Sequence, residues 1–423
     1  MRDWARIRVD GEMGFSEGLK EMNQTGEEAG AFRPLRILIV SRGLPVKDDP
    51  MLGIFEWDQA KALRAMGHEV TFFAVDLRSA RHKRSFGIYQ RDIQGIRVFV
   101  YSMPVGAVSP GILVKLGFAG LKKLFLQAFS PEGIPDVIHA HFTEMGCMAA
   151  ELSEKTGVPL VITEHSSIMG GEAVPAKLLQ VAKKGYETAD CLIAVSGALS
   201  RKILEHTGAE SRVIHNIIDD RIFRRYPAME HEGYHFISVS NLIPRKRISL
   251  LLQAFAVLTG KTASADAEPE TGGNDGNRGL YLDIVGDGEE RENLENLADQ
   301  LGIRDRVYFH GRLSRKDIAK QFSMADCFVL PSELETFGVV YAEAMMAGLP
   351  VIATACGGPE DFVTGETGLI GEYDTGEALA GAMEEMYQNR ERFDRDAIQG
   401  YAQGHFSPEV IAERLTKEYL EIL

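Results

Sequence analysis

Short apolar runs recur along this chain with helical stretches between them, and that alternation restricts it to one fold class. RILIV (36–40), EVTFFAV (69–75), IRVFVY (96–101), DVIHAHF (136–142), PLVIT (159–163) and CLIAV (191–195) form a first series. HFISVS (235–240), YLDIVG (281–286), VYFHG (307–311), CFVLP (327–331) and PVIAT (350–354) form a second. A strand apolar on both faces is satisfied only between two covering layers, and parallel neighbours need a crossover connection. At 423 residues the chain also exceeds the size at which one core keeps growing. The expectation is α/β: two Rossmann-like, doubly wound parallel-sheet domains facing a central cleft, joined near 215–227.

The boundaries read as an N-terminal domain over 34–218, a C-terminal domain over 219–404 and a terminal helix over 405–423. Residues 1–33 mix charges and glycines without an apolar core segment, so they read as a disordered extension and not a signal peptide. The polar, Gly-rich stretch 261–279 reads as a mobile insertion. With 46 basic and 61 acidic residues the chain carries a net −15, which argues against nucleic acid as a partner. Four cysteines, none in a C-x-x-C pair, read as buried reduced thiols. No apolar run reaches the roughly 18 residues that span a bilayer. A cytoplasmic protein is expected.

The most informative segment is PSELETFGVVYAEAMMAGLPVIA (331–353). An apolar strand leads into a short acidic loop, a Phe337-Gly338 pair, a helix and a second strand. Loops leaving the carboxyl ends of strands are where ligands bind in such sheets, and a helix start offers unpaired amides to an anion. Gly338 removes the side chain where a phosphate would approach, with Val339 opening the helix. Glu335 lies in the loop and Glu343 in the helix, about 7 Å further along at 1.5 Å per residue. Two carboxylates flanking an anion-ready helix start suit a nucleotide diphospho-sugar.

The E-x7-E pattern around Phe-Gly resembles the retaining glycosyltransferases of family 4, which have the two-domain GT-B fold. The resemblance implies that Glu335 contacts the donor sugar and that Glu343 binds the ribose hydroxyls. It makes the first domain the acceptor-binding one and the second the donor-binding one, and brings the terminal helix back onto the first. NLIPRKRISLLLQAF (241–255) resembles the segment carrying an Arg and, five positions later, a Lys against the diphosphate. Lys246 matches the Lys; Asn241 stands at the Arg position, so the charge falls to Lys246 with Arg245 and Arg247 nearby. His165, in VITEHSS (161–167), matches a His near the donor sugar, with Glu164 an alternative cleft residue. CGGPED (356–361) matches a Gly-Gly turn in which Gly357 and Gly358 let backbone approach the sugar. Gly53, before the first helix, is either the glycine that approaches phosphate or acceptor, or an ordinary helix-start glycine. VGDGEER (285–291) is similar to a turn near the nucleobase, or is a plain strand-to-helix turn.

His139 and His141 share a strand face, yet no third ligand of suitable spacing accompanies them, so packing is preferred over a metal site. The resemblance implies a nucleotide-sugar cosubstrate, no metal and no other cofactor. The run 45–70 is similar to members that build bacterial surface polysaccharides, including teichuronic-acid-type enzymes. A glycan or lipid-linked acceptor is therefore expected. GILVKLGFAGLKKLFLQAF (111–129), with Lys115, Lys122 and Lys123, reads as a core-packed helix or as a peripheral contact of the N-terminal domain with the inner face of the plasma membrane. A nucleotide-sugar epimerase of the same fold, and a catalytically silent partner of another transferase, are the alternatives.

Overall fold

The computed structural model describes residues 33–46, 49–82, 84–130, 133–224, 226, 231–260 and 279–423. The extension 1–33 (save Arg33) and the insertion 261–279 (save Gly279) lie outside the described residues. Two parallel-sheet α/β halves follow one another, and Leu35–Leu423 forms one unit.

The first sheet has the order β3-β4-β2-β1-β5-β6-β7-β8. Its strands are β1 (Arg36–Ser41), β2 (Glu69–Asp76), β3 (Gly87–Ile93), β4 (Ile96–Ser102), β5 (Val137–His141), β6 (Leu160–Glu164), β7 (Cys191–Ala194) and β8 (Arg212–Val213). All neighbours are parallel except β3 and β4. Helices α1 (Ile54–Ala65), α2 (Pro110–Ala128), α3 (Thr143–Thr156), α4 (Ala176–Thr188) and α5 (Gly197–Thr207) supply the covering layers. β1, β2, β5, β6 and β7 are buried almost throughout, as apolar residues on both pleat faces demand.

The second sheet has the order β11-β10-β9-β12-β13-β14 and is parallel throughout. Its strands are β9 (Tyr234–Val239), β10 (Leu280–Val285), β11 (Val307–Gly311), β12 (Cys327–Leu330), β13 (Val351–Thr354) and β14 (Gly368–Gly371). Its helices are α6 (Ile248–Leu258), α7 (Arg291–Gln300), α8 (Arg315–Ser323), α9 (Val339–Met346), α10 (Gly376–Gln388) and α11 (Arg395–Phe406). In each sheet the order reverses beside the first strand of the half, β1 or β9, which opens a crevice at the carboxyl ends of the strands.

The sequence patterns missed β3, β8 and β14. β3 reads GIYQRDI and is mostly exposed, so no burial imposes an apolar period on it. β8 has two residues and β14 reads GLIG, too short for any period.

Ser407 and Pro408 break α11 from the final helix, α12 (Pro408–Ile422), whose first turn is capped by the Ser407 hydroxyl. The α12 residues Ile411, Ala412, Leu415 and Tyr419 join the apolar cluster of Ile37, Trp57, Leu63 and Val70. Tyr419 hydroxyl bonds His139 Nδ1 at 2.6 Å, and Thr416 hydroxyl bonds His68 Nε2 at 2.9 Å. All four cysteines are free and buried.

Candidate functional site

β9 and β12 are neighbours, so the loops leaving their carboxyl ends lie side by side. Lys246 ends the short helical turn Pro244–Lys246 after β9. Glu335 lies in the loop after β12. Their side chains form an ion pair, and Glu335 Oε1 also accepts from the Ser332 hydroxyl at 2.8 Å. The two side chains are only 14% and 12% exposed, so the pair is largely shielded from water. The Glu333 N–H donates to the Arg245 carbonyl at 2.9 Å and binds one loop to the other. Arg247 turns away to Asp374 at 3.0 Å, which leaves Lys246 as the cation held on Glu335. Asn241 is exposed in the same loop.

Gly338 caps α9 in the left-handed region, at φ 84°, a conformation glycine reaches without penalty. The first bond closing the helix runs from the Tyr341 N–H to the Gly338 carbonyl at 3.0 Å. The amides of Val339 and Val340 therefore lie ahead of it, at the positive end of the helix. The Tyr341 hydroxyl donates to the Leu330 carbonyl and ties the helix to β12.

The Phe337 ring, expected at the donor, is 1% exposed and packs 5.2 to 5.6 Å from His215, Phe362 and Phe406. It is a core group that anchors the loop. The Gly357-Gly358 turn has a packing reason for its glycines. A Cβ on Gly358 would lie 2.3 Å from Phe337 Cα, and one on Gly357 would lie 2.8 Å from the Glu335 carbonyl oxygen. These glycines are required because the turn rests on the Glu335 loop. The Gly358 N–H donates to the Glu335 carbonyl at 2.8 Å, and the Glu335 N–H to the Cys356 carbonyl at 3.0 Å. The Gly357 N–H is taken by the Glu360 carboxylate at 2.8 Å.

Glu343 is buried in α9, with Oε1 3.6 Å from Arg315 Nε. Burial pushes its carboxyl up to about 7, against the pull of the Arg315 guanidinium. Arg315 reaches on to Asp58 of α1 at 3.1 Å and so spans the two domains.

In the first domain, His165 follows β6 and stacks on Phe55 at 5.6 Å, with His141 Nδ1 3.0 Å from its Nε2. Burial lowers the His165 pKa to about 3 and that of His139 likewise, so both imidazoles are neutral at physiological pH. A neutral imidazole at this position brings no charge to the cleft. Glu164 is not a cleft residue. It is fully buried and accepts from Thr143, Tyr186 and the backbone of His165 and Ser166. Gly53 caps α1 at φ 67°, where a Cβ would lie 2.3 Å from the Gly43 carbonyl oxygen. The loop demands glycine there whatever binds beside it. Among the described residues no group of three or more His, Cys, Asp or Glu side chains is arranged to hold a metal ion.

The two domains touch along these same segments. The Gly197 N–H, opening α5, donates to Asp361 of the second domain at 2.6 Å. Gly170, after β6, sits against Thr336, where a Cβ would lie 3.1 Å from the Thr336 methyl.

The family described as glycosyl transferases group 1 matches residues 219–403, and glycosyltransferase family 4 matches residues 56–221. This chain is a glycosyltransferase of the family 4 type. It is 26% identical over 392 residues to the N-acetyl-alpha-D-glucosaminyl L-malate synthase of Bacillus anthracis, covering 88% of this chain and 94% of that one. To the D-inositol 3-phosphate glycosyltransferase of Mycolicibacterium smegmatis it is 29% identical over 313 residues, 65% of this chain and 69% of that one. The sucrose-phosphate synthase of Thermosynechococcus elongatus superposes with a TM-score of 0.72 at 23% identity, covering 92% of this chain and 99% of its own. Anabaena HepE in complex with UDP-glucose gives 0.65 at 21%, covering 92% and 100%. These structures establish the GT-B architecture.

Sequence patterns brought out Lys246, Glu335 and Glu343 of this transferase but passed over Arg315, Asp58 and Asp361. Arg315 left one signal: it is the first residue of α8, where a cation opposes the helix dipole and needs anions from elsewhere. Asp58 lies on α1, where an acidic residue normally faces water, and is 4% exposed. Nothing local distinguished it.

Proposed function

We propose that this transferase moves a sugar from a UDP-linked donor, with retention of anomeric configuration, to a hydroxyl of a glycan or lipid-linked acceptor in cell-surface polysaccharide synthesis. The observation that carries the reading is the shielded Lys246–Glu335 pair between the Gly357-Gly358 turn and the open start of α9. A departing nucleoside diphosphate gathers negative charge, and Lys246 with the Val339 and Val340 amides supplies fixed positive groups for it. Glu343, on the same helix, takes the ribose hydroxyls. Glu335 orients the sugar, and neutral His165 bonds it from the first domain. The leaving phosphate accepts the acceptor proton as attack proceeds on the same face. Closure of the cleft keeps water from the donor. The proposal uses no cofactor or metal ion.

HepE, a fold neighbour, was solved with UDP-glucose, which supports the donor class. LpsE of Rhizobium meliloti, named for lipopolysaccharide core biosynthesis, is 29% identical over 249 residues and supports the pathway class. No helix among the described residues is long and apolar enough to cross a membrane. Phe86, Val108 and Ile112 are nonetheless 52%, 40% and 50% exposed where β2 and β4 lead toward β3 and α2, and the lysines of α2 follow. That mixed apolar and basic surface supports a lipid-linked acceptor and peripheral membrane contact.

A second reading is a small soluble acceptor, favoured because the malate synthase relative matches 94% of its own length. Labelled nucleotide sugars offered with lipid-linked glycan, with malate or inositol phosphate, or with no acceptor separate the possibilities. Transfer to lipid-linked glycan supports the main reading and transfer to the small alcohols supports the second. Isomerised free donor without transfer would instead reveal an epimerase, and binding without turnover a silent partner.

A further inference from the structure

Arg315 lies at the crossing of a charge network that draws on both domains. Its Nη1 is 3.1 Å from Asp58 Oδ2 on α1, and its Nε is 3.6 Å from Glu343 Oε1 on α9. Its guanidinium sits 5.3 Å over the Phe223 ring. Lys61, one turn beyond Asp58 on α1, pairs with Asp58 at 2.8 Å and with Asp219 at 3.7 Å. Asp58 and Glu343 are both buried, their side chains 4% and 11% exposed, so neither carboxylate is hydrated enough to stand without a cation.

The order of these contacts matters. Glu343 projects from the helix whose start carries the donor site, and Arg315 is the cation against it. Asp58, in turn, holds that cation from the opposite domain. A planar guanidinium can meet two carboxylates along two edges at once, which an ammonium cannot do with the same geometry. We infer that Arg315 is the positioning residue of the donor site, holding the Glu343 carboxylate in place for the ribose and tying it to Asp58 across the cleft. The inference rests on the reading of Glu343 as the ribose ligand. It assigns Arg315 no contact with substrate.

The groups facing Glu343 dictate a signed test. Arg315, on α8, favours its ionised form, while burial and Asp58, on α1, oppose it. Lys61 and Asp219 act one step further out, through Asp58 and Arg315. From α11, Gln399 is uncharged and bonds the Met346 carbonyl at the far end of the helix, and Arg395 packs against Gly348 beyond that end. Removing the Arg315 charge should therefore move the Glu343 titration to higher pH, and removing the Asp58 charge should move it lower. A residue that merely braces the fold would move it in neither direction.

The experiment is UDP affinity by calorimetry from pH 6 to 9 for the parent protein and for Glu343→Gln, Arg315→Gln, Arg315→Lys and Asp58→Asn. Each variant is checked for folding by its thermal transition. Glu343→Gln gives the pH dependence that belongs to UDP itself. Arg315→Gln is expected to weaken UDP roughly tenfold at pH 7, the scale of one lost charge-assisted interaction, and to recover toward parent affinity by pH 9. Arg315→Lys keeps the charge but not the two-edged geometry, so its midpoint should lie between those of the parent and Arg315→Gln, and Asp58→Asn should lower it. If Glu343→Gln binds UDP as the parent does, the ribose reading itself fails. If Glu343→Gln weakens UDP but Arg315→Gln loses affinity equally at every pH, or not at all, the Arg315 inference alone is overturned. Should Arg315→Gln not fold, an unmoved or raised midpoint in Asp58→Asn overturns it as well.

Discussion

Breaking the Lys246–Glu335 pair should disturb stability and turnover by separable amounts, and a double-mutant cycle measures both. Lys246→Met removes the cation but keeps the aliphatic stem, leaving Glu335 largely shielded with the Ser332 hydroxyl as its remaining side-chain donor. Removing one partner of a buried pair costs about 3–5 kcal/mol, because the other charge is stranded. The residual exposure of both side chains and the surviving 2.8 Å Ser332 bond place this site at the lower end, about 3 kcal/mol. Glu335→Gln keeps a hydrogen-bonding side chain beside Ser332 and strands Lys246, so about 2–3 kcal/mol is expected. The double variant strands neither charge. Its cost should fall below the sum by about 0.5–3 kcal/mol, the coupling range of directly paired residues. Urea unfolding of the four proteins measures this. Costs that add to within about 0.5 kcal/mol would show that the two side chains are not coupled and refute the shielded-pair argument. In the same set, UDP release from the accepted donor should fall about 10²- to 10³-fold for Lys246→Met, as for loss of one donor at a developing anion. Near-normal rates would remove Lys246 from the chemistry.

Three further outcomes follow from the packing. Gly358→Ala forces a methyl to 2.3 Å from the Phe337 backbone and should destabilise by about 3 kcal/mol, visible as a lower urea midpoint. A change under about 0.5 kcal/mol would mean the turn yields freely. Tyr419→Phe leaves His139 Nδ1 without its 2.6 Å partner and should cost about 1–3 kcal/mol; an unchanged midpoint would argue against α12 as part of the first domain's core. His139 and His165, lowered to about 3 by burial, should stay neutral by ¹⁵N NMR down to about pH 4. In the unfolded chain they protonate near 6.5, so their stabilisation is complete above about 6.5 and is lost as pH falls toward 3. His139→Asn should accordingly flatten the acid limb by up to about 1.4 kcal/mol per pH unit.

The legibility of the fold and of the site differ for a physical reason. Strands such as RILIV and CFVLP announce themselves because burial on both faces demands an unbroken apolar run, and that run is local in the chain. GIYQRDI, exposed at a sheet edge, faces no such demand and gave no pattern. The segment 331–353 was equally readable, since a strand, a loop, a Gly-capped helix and two carboxylates are all short-range features. Phe337 misled because a Phe beside a helix-start glycine looks the same whether its ring faces a ligand or His215, Phe362 and Phe406.

By its order of residues alone, this chain was committed to two parallel sheets and to a helix start suited to an anion. Periodicity and capping act over a few residues, and no distant neighbour can reverse them cheaply. The tertiary structure decided which charges meet. Lys246 reaches Glu335 across 89 positions because β9 and β12 are adjacent, and Arg315 reaches Asp58 across 257 because α8 and α1 face one another. It also decided which groups lose their water. The neutrality of His165 and the raised carboxyl of Glu343 are properties of surroundings assembled from remote segments, since desolvation sums over every neighbour in space.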